Sequence, residues 1–403
     1  MTSKTLPIQE ISNLGYTIQE FKDLGIYPDN LAELREHPIQ MVIGKFLVRG
    51  KTFMQDRFIQ IKPNMKLVMD INDFIAVWHH SEGKGITGNS LDINLYQGED
   101  LTNKKLLFWS FGPGWGDLLF IQAILRNIKI KYPTCKITWA LPQIYHSFVR
   151  SFNTVNKIVP TPFEAKYIKQ NDYHLHFDAL VNHFQKGKNG NCYELMNDYA
   201  GLGISKEDLR PQILVMPQAQ KFINKQLESV KLKEFIVLHL NTSSPMRNPR
   251  VRFKLTLLDK LLIHMDEDIK VVFVDSADKK KDVQFLIDQS CNPDSCYNFC
   301  GETRSMMEVA ALLSKAQCVV SVDTSIIHMA TAVGTPTYGL YGPFSGEQRL
   351  STYENCKWVN GTCPISPCCL HQQEECPQSK DGFSVCYDNI DLDHVIKEIK
   401  TLI

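Results

Sequence analysis

The sequence predicts an α/β protein made of two Rossmann-like halves preceded by a small β-rich domain. Three observations lead there. From about Lys104 strand-like and helix-like text alternates, a glycine-rich turn follows the first strand of the first half, and a β-branched strand in the second half runs directly into a helix cap. At 403 residues the chain is too long for one ordinary core, and its texture divides it at 1–103, 104–215 and 216–403.

The N-terminal part opens with amphipathic helical text up to about Glu36 and continues with period-two segments, FIQIK, KLVMDI and LDINLY, broken by Gly and Asn. These read as short strands of an accessory domain, and their exposed edges suit self-association into a homo-oligomer. His79, His80 and Glu82 are spaced for a metal but fit a solvated strand end better.

The first half begins with KLLFWS, a helix over 117–131, a Tyr132-Pro133 turn and the strand KITWAL, which together form a βαβ unit. Its turn, Phe111-Gly112-Pro113-Gly114-Trp115-Gly116-Asp117, has Gly-x-Gly-x-Gly spacing, and no acidic residue ends the next strand. Both features depart from the dinucleotide fingerprint and argue against NAD. Gly114 and Gly116 let backbone approach a ligand, while Asp117 stands at a helix N-terminus as either a cap or a catalytic carboxylate. The segment 210–222, with Pro211 and Pro217, reads as an extended interdomain linker.

The second half runs through the strands FIVLHL and KVVFVD, a helix from Met306 announced by Ser305 and Glu308 as a capping box, and the strand that ends in Asp323. After FIVLHL, hydroxyls and amides at 241–244 are followed by Arg247, Arg250, Arg252 and Lys254. Thr242, Ser243 and Arg247 suit a phosphate, whereas Arg250 and Arg252 fit a solvated loop. Asp323, Thr324 and Ser325 can cap the next helix, Ala330 and Ala332 let it lie close to a sheet, and Gly334-Thr335-Pro336 stops it. Its first-turn amides would face the end of a strand, where doubly wound sheets bind phosphorylated ligands.

The pattern Asp-Thr-x-x-x-His-x-Ala-x-Ala-x-Gly-x-Pro over 323–336, ending in Tyr341-Gly342-Pro343, resembles the nucleotide-sugar signature of glycosyltransferase family nine, the ADP-heptose heptosyltransferases. Gly116-Asp117 followed by an apolar helix and Tyr-Pro resembles the same family's N-terminal signature. The family's usual Gly after Asp-Thr is Ser325 here.

The resemblance implies a GT-B architecture, with two Rossmann-like domains facing a cleft. It implies an inverting transfer from a nucleoside-diphosphate sugar, with ADP-heptose the expected donor, to a hydroxyl of a protein or glycan acceptor. Asp117 would be the general base, His328 a phosphate neighbour and Asp278 the ribose ligand, with no catalytic cofactor. A non-catalytic nucleotide-sugar-binding protein, or a GT-B enzyme with another donor, is the alternative.

Of twelve cysteines, several stand singly in apolar text, as buried small hydrophobes do. Six others lie between Cys356 and Cys386. Cys363, Cys368, Cys369, Cys376 and Cys386, with His371 in reserve, are metal-ligand text for a structural zinc or iron; free thiols and disulfides are the alternatives. This cluster, the extra N-terminal domain and the chain length resemble the bacterial autotransporter heptosyltransferases, which place heptose on serines of a surface protein and bind iron through cysteines.

Lys plus Arg and Asp plus Glu both number 44, so no global field favours nucleic acid or an acidic membrane. No run is long enough to span a bilayer and the first residues lack a basic-then-apolar leader, so a cytoplasmic protein is expected.

Overall fold

The computed structural model describes residues 49–51, 58–60, 67–68, 93–110, 113–176, 190–199, 201–368 and 375–403. The N-terminal helical text, the His79–His80–Glu82 group, Cys369 and His371 lie outside them. The chain divides into two compact units, one of Met1–Pro113, Tyr132–His146 and Val155–Asn182, the other of Gly114–Lys131, Ser147–Thr154 and His183–Ile403.

In the first unit β1 (Arg49–Lys51) pairs antiparallel with β2 (Phe58–Gln60). The strands β3 (Leu67–Val68), β4 (Lys105–Trp109), β5 (Lys136–Leu141), β6 (Lys157–Pro160), β7 (Phe163–Glu164) and β8 (Tyr173–His176) follow. The main sheet is parallel in the order β6-β5-β4-β8, and β3 pairs antiparallel with β7. Four successive residues of β4, Leu106 to Trp109, are fully buried, as a parallel strand covered on both faces requires. Val68, Leu107, Trp109, Ala140, Val159 and Phe163 form one core cluster, and Trp109 stacks on His176 at 5.1 Å.

The second unit starts with α1 (Trp115–Lys131), the helix that joins β4 to β5. Its buried residues, Leu118 through Leu125 with Asn127 and Ile128, run around nearly the whole circumference, so it is an interior helix. After α2 (Cys192–Tyr199) comes α3 (Pro217–Ser229). Here the linker expectation is corrected. Residues 210–216 have no regular structure, but Pro217 opens a 13-residue helix. A proline at the first helical position has no hydrogen bond to lose, and Ala219, Ile223 and Leu227 supply a buried stripe at four-residue spacing.

The remaining elements are β9 (Phe235–His239), α4 (Val251–His264), β10 (Lys270–Phe273), α5 (Lys280–Asp288), β11 (Cys296–Asn298) and α6 (Met306–Leu313). They continue with β12 (Cys318–Val322), α7 (Ser325–Ala332), β13 (Thr337–Tyr341), α8 (Gly346–Leu350), β14 (Cys356–Asn360) and α9 (Leu392–Lys400). All six strands are parallel, in the order β11-β10-β9-β12-β13-β14. That is the doubly wound order, with its topological switch between β9 and β12.

The first half of the capping box forms, with the Ser305 hydroxyl accepting from the Glu308 amide; the Glu308 carboxylate accepts instead from the amide of Arg304, one residue before the cap, at 2.7 Å. Every residue of α6 after Met306 is buried, so the expected core face extends around the helix. The stop of α7 is a Schellman turn. Gly334 sits at φ 85°, its amide donates to Thr331 O, and the Thr335 amide donates to Ala330 O at 3.0 Å. No described helix is long and apolar enough to cross a membrane.

Candidate functional site

The switch point places two strand ends side by side. The residues that leave β9 are Leu240 to Ser244, and those that leave β12 are Asp323 and Thr324. Ligands of doubly wound sheets bind there because neighbouring connections depart to opposite faces and leave a crevice between them. Thr324 is the N-cap of α7, and its hydroxyl accepts from the Ile326 amide at 3.3 Å. Asp323 is buried, with an Oδ2 that makes no hydrogen bond to the described residues.

The loop after β9 turns on itself. The Thr242 amide donates to Asn248 Oδ1 at 2.6 Å, and the Thr242 hydroxyl donates to Ser244 O. This folds Arg247 back across the strand ends. Its Nη1 lies 3.8 Å from Asp323 Oδ2 and donates to Asp323 O at 3.3 Å, its Nη2 reaches the hydroxyl of exposed Ser243 at 3.4 Å, and its Nε is buried without a partner. The other cations divide. Arg250 is not a solvated side chain as expected: it binds Asp381, Asp388 and Ser379, tying the start of α4 to the C-terminal segment. Lys254 is buried against Asn241 Oδ1 at 2.5 Å, and burial lowers its amine to about 8 against the pull of Asp275. Arg252 is exposed, as expected.

The N-terminus of α1 meets the N-terminus of α7. A Cβ added to Gly116 would lie 3.5 Å from the His328 ring and 3.7 Å from Ser325 Cα, so the two glycine and hydroxyl motifs form one place. Asp117 is the third residue of α1, and its Oδ2 accepts from the Gly114 amide at 2.6 Å. A side chain on Gly114 would stand 3.2 Å from that oxygen, which explains the glycine. Loss of hydration raises the Asp117 pKa above the ordinary carboxylate value, against the lowering effect of the Gly114 N–H, Arg349 and Arg247, while Asp323 adds to the rise.

His328 is buried, and its Nδ1 lies 2.7 Å from the Tyr353 hydroxyl, which in turn contacts the Tyr193 hydroxyl. Its ring packs on Phe120 at 4.8 Å, and burial lowers its pKa to about 4, so the imidazole is neutral. Asp278 lies beyond β10 on the surface, where it accepts from the Ser276 hydroxyl and pairs with Lys279 at 3.5 Å. Nothing in those contacts brings it to the Asp117 and Asp323 group.

Three participants carried no sequence signal. Arg349 of α8 donates from Nη1 to Cys192 Sγ at 2.9 Å, and Tyr353 closes the hydrogen-bond chain on His328. Burial alone would lower the Arg349 guanidinium, but Cys192, Asp323, Tyr341 and Asp117 together hold it above its ordinary value. For Arg349 and Tyr353 the only pointer is position, a few residues after the Tyr-Gly-Pro turn, and Cys192 has none.

Among the cysteines, Cys386 and Cys363 bring their sulfurs to 3.3 Å, while no three His, Cys, Asp or Glu among the described residues are grouped as a metal site. The same segment buttresses the Arg247 loop. The Tyr387 hydroxyl donates to Arg247 O at 3.1 Å, and the Ser384 amide to Asn248 O.

Residues 192–379 match the family model of glycosyltransferase family 9 (heptosyltransferase). Lipopolysaccharide heptosyltransferase 2 of Escherichia coli is 24% identical over 295 residues, covering 58% of this chain and 82% of that protein. The structure of E. coli ADP-heptose LPS heptosyltransferase II superposes with a TM-score of 0.53 at 17% identity, covering 74% of this chain and 98% of that one. The iron-containing dodecameric glycosyltransferase TibC of enterotoxigenic E. coli does so at 0.53 and 12% identity, covering 90% and 92%. The strand order, the paired helix ends and these likenesses agree: residues 192–379 match the glycosyltransferase family 9 model, and the chain shares the GT-B fold of the heptosyltransferases to which it is similar.

Proposed function

We propose that the protein is an inverting glycosyltransferase that moves a heptose-like sugar from an ADP-heptose-like donor to a hydroxyl of a protein or glycan acceptor. The observation that carries this reading is the packing of Gly116 on Ser325 and His328, which sets a carboxylate beside a phosphate-suited helix end. A protein that only bound nucleotide would need the second without the first. The donor assignment is supported by the heptosyltransferases to which the chain is similar.

In this mechanism the Thr242–Ser243–Arg247 loop and the first turn of α7 hold the donor diphosphate. The Gly114 N–H fixes one oxygen of Asp117 and leaves Oδ1 to take the acceptor proton as the hydroxyl attacks the anomeric carbon. A carboxylate whose pKa is raised is a stronger base than an ordinary one. The bond from the anomeric carbon to the phosphate oxygen breaks with its electron pair moving to the diphosphate, where Arg247 meets the new charge. Asp278 would join the nucleoside side of the site only in a different side-chain arrangement.

A structural iron or zinc would take thiolates from the C-terminal cysteines. Cys363 and Cys386 fit as two adjacent donors, the described residues do not complete a tetrahedral set, and no step above depends on a metal. Elemental analysis of the purified protein, with and without Cys363→Ser, decides it: metal lost with the substitution is expected, and protein without bound metal removes the proposal.

A panel of nucleoside-diphosphate sugars, assayed for hydrolysis and transfer with wild type and Asp117→Ala, tests the function. Turnover of ADP-heptose that Asp117→Ala abolishes while ADP still binds is expected. Unchanged turnover in that variant would remove Asp117 as the base, and turnover of a different donor would replace ADP-heptose.

A further inference from the structure

We propose that Arg349 is a further catalytic residue, a second guanidinium that contacts the donor diphosphate as the glycosidic bond breaks; the proposal rests on the donor reading of the site given above. Arg349 is half-buried, and its Nε is shielded from solvent. A guanidinium carries five N–H donors and a permanent charge, and removing it from water without an acceptor set is costly.

Among the described residues Arg250, Arg304 and Arg210 meet that need, whereas Arg126 keeps a buried Nη1 and Arg247 a buried Nε without a partner. Arg250 binds two carboxylates, Arg304 binds Glu308 and Arg210 binds Glu354. Arg349 does not. Its Nη1 donates to a thiol sulfur, a weak acceptor, its Nε is buried with no hydrogen-bond partner, and among the described residues no carboxylate lies within ion-pairing distance. Burial raises the Cys192 thiol above its ordinary value, which disfavours a thiolate as the partner of Arg349.

The only other guanidinium Nε buried without a partner among the described residues belongs to Arg247. Arg349 and Arg247 both pull down the Asp117 carboxyl, so two under-satisfied cations lie in the neighbourhood of one carboxylate. An anion with oxygens in several directions completes both sets of donors, and a diphosphate has that shape. Phe344, 4.9 Å from the Arg349 guanidinium, holds the side chain in place before the anion arrives.

The step balances without further reactants. The acceptor oxygen bonds to the anomeric carbon, its proton goes to Asp117, and the leaving diphosphate gains one negative charge, which Arg349 and Arg247 share. Because that charge grows in the transition state, Arg349 should contribute more to kcat than to KM.

The experiment measures ADP binding by calorimetry and ADP-heptose turnover for wild type, Arg349→Gln and Arg349→Lys, with thermal unfolding as the folding control. Loss of about 10²- to 10³-fold in kcat for Arg349→Gln is expected, with a smaller change in KM, weaker ADP binding, partial recovery in Arg349→Lys, and further recovery of Arg349→Gln by added guanidinium ion. If Arg349→Gln does not fold, Arg349→Lys decides: it keeps the charge and stem but not the fork, so kcat and ADP affinity equal to wild type overturn the proposal. Wild-type kcat in a folded Arg349→Gln overturns it while leaving the function reading intact. A wild type that binds no ADP and turns over no donor overturns both.

Discussion

Replacing His328 by Asn removes a titratable ring while leaving a polar atom near the position of Nδ1, and its effect on stability should depend on pH in a way that can be calculated. The buried imidazole has a pKa of about 4, against 6.5 for the free side chain. As pH falls through 6.5 the unfolded chain binds a proton that the folded chain refuses until about 4, so stability is fully present above 6.5, falls across the window and levels off below it. Between about pH 7 and about pH 5 the loss from this one group is about 2 kcal/mol. The variant loses ring contacts, including the one to Phe120, and should be about 1–2 kcal/mol less stable near neutrality, but its stability should fall less on acidification by that same 2 kcal/mol. Urea unfolding at the two pH values, with slopes compared to confirm two-state behaviour, measures both terms. Equal acid sensitivity in wild type and variant, within about 0.5 kcal/mol, would show that the ring is protonated in the folded protein and that the neutral Tyr193–Tyr353–His328 chain is wrong.

The raised pKa of Asp117 predicts a kcat/KM that falls on the acid side with an apparent pKa above 3.8, because a base must be ionised to act; an acid limb at or below that value would contradict the burial argument. Arg250→Ala should cost no more than about 1 kcal/mol, since Asp381 and Asp388 are half-exposed, and the cost should shrink in high salt. A loss beyond that, or one indifferent to salt, would mean that Arg250 carries packing rather than charge. Gly346→Ala places a Cβ 2.3 Å from the Trp358 ring and should cost about 1–3 kcal/mol in chemical unfolding. A neutral substitution there would show that the indole shifts freely.

What was legible in the sequence is what is settled locally. Thr324 caps α7, Ser305 and Glu308 cap α6, and Gly334 closes a Schellman turn, each through bonds to backbone a few residues away. The strands β4, β5, β9 and β12 were marked by apolar runs because both their faces are covered. The α3 helix was missed by weighing Pro217 as a breaker rather than a start, although the Ala219–Ile223–Leu227 stripe was present to decide it. Arg349 and Cys192 are 157 positions apart and meet only because the sheet order brings α8 and α2 to one region, which no local pattern encodes. The partners of Arg250 were hidden for the same reason, since Asp381 and Asp388 lie 131 and 138 residues on.

The closeness of Gly116 to Ser325 means that two positions far apart in the chain draw on a single small volume. The chain fills it from one side, with a hydroxymethyl group at 325 and only hydrogen at 116. Ala at 116 would still make ordinary contacts at 3.5 to 4.0 Å, but a branched side chain would wedge the two helix ends apart. Exchanging Ser325 for Gly therefore opens room that a larger residue at 116 could occupy, and attempts to retune the proposed donor pocket should vary the two positions as a pair.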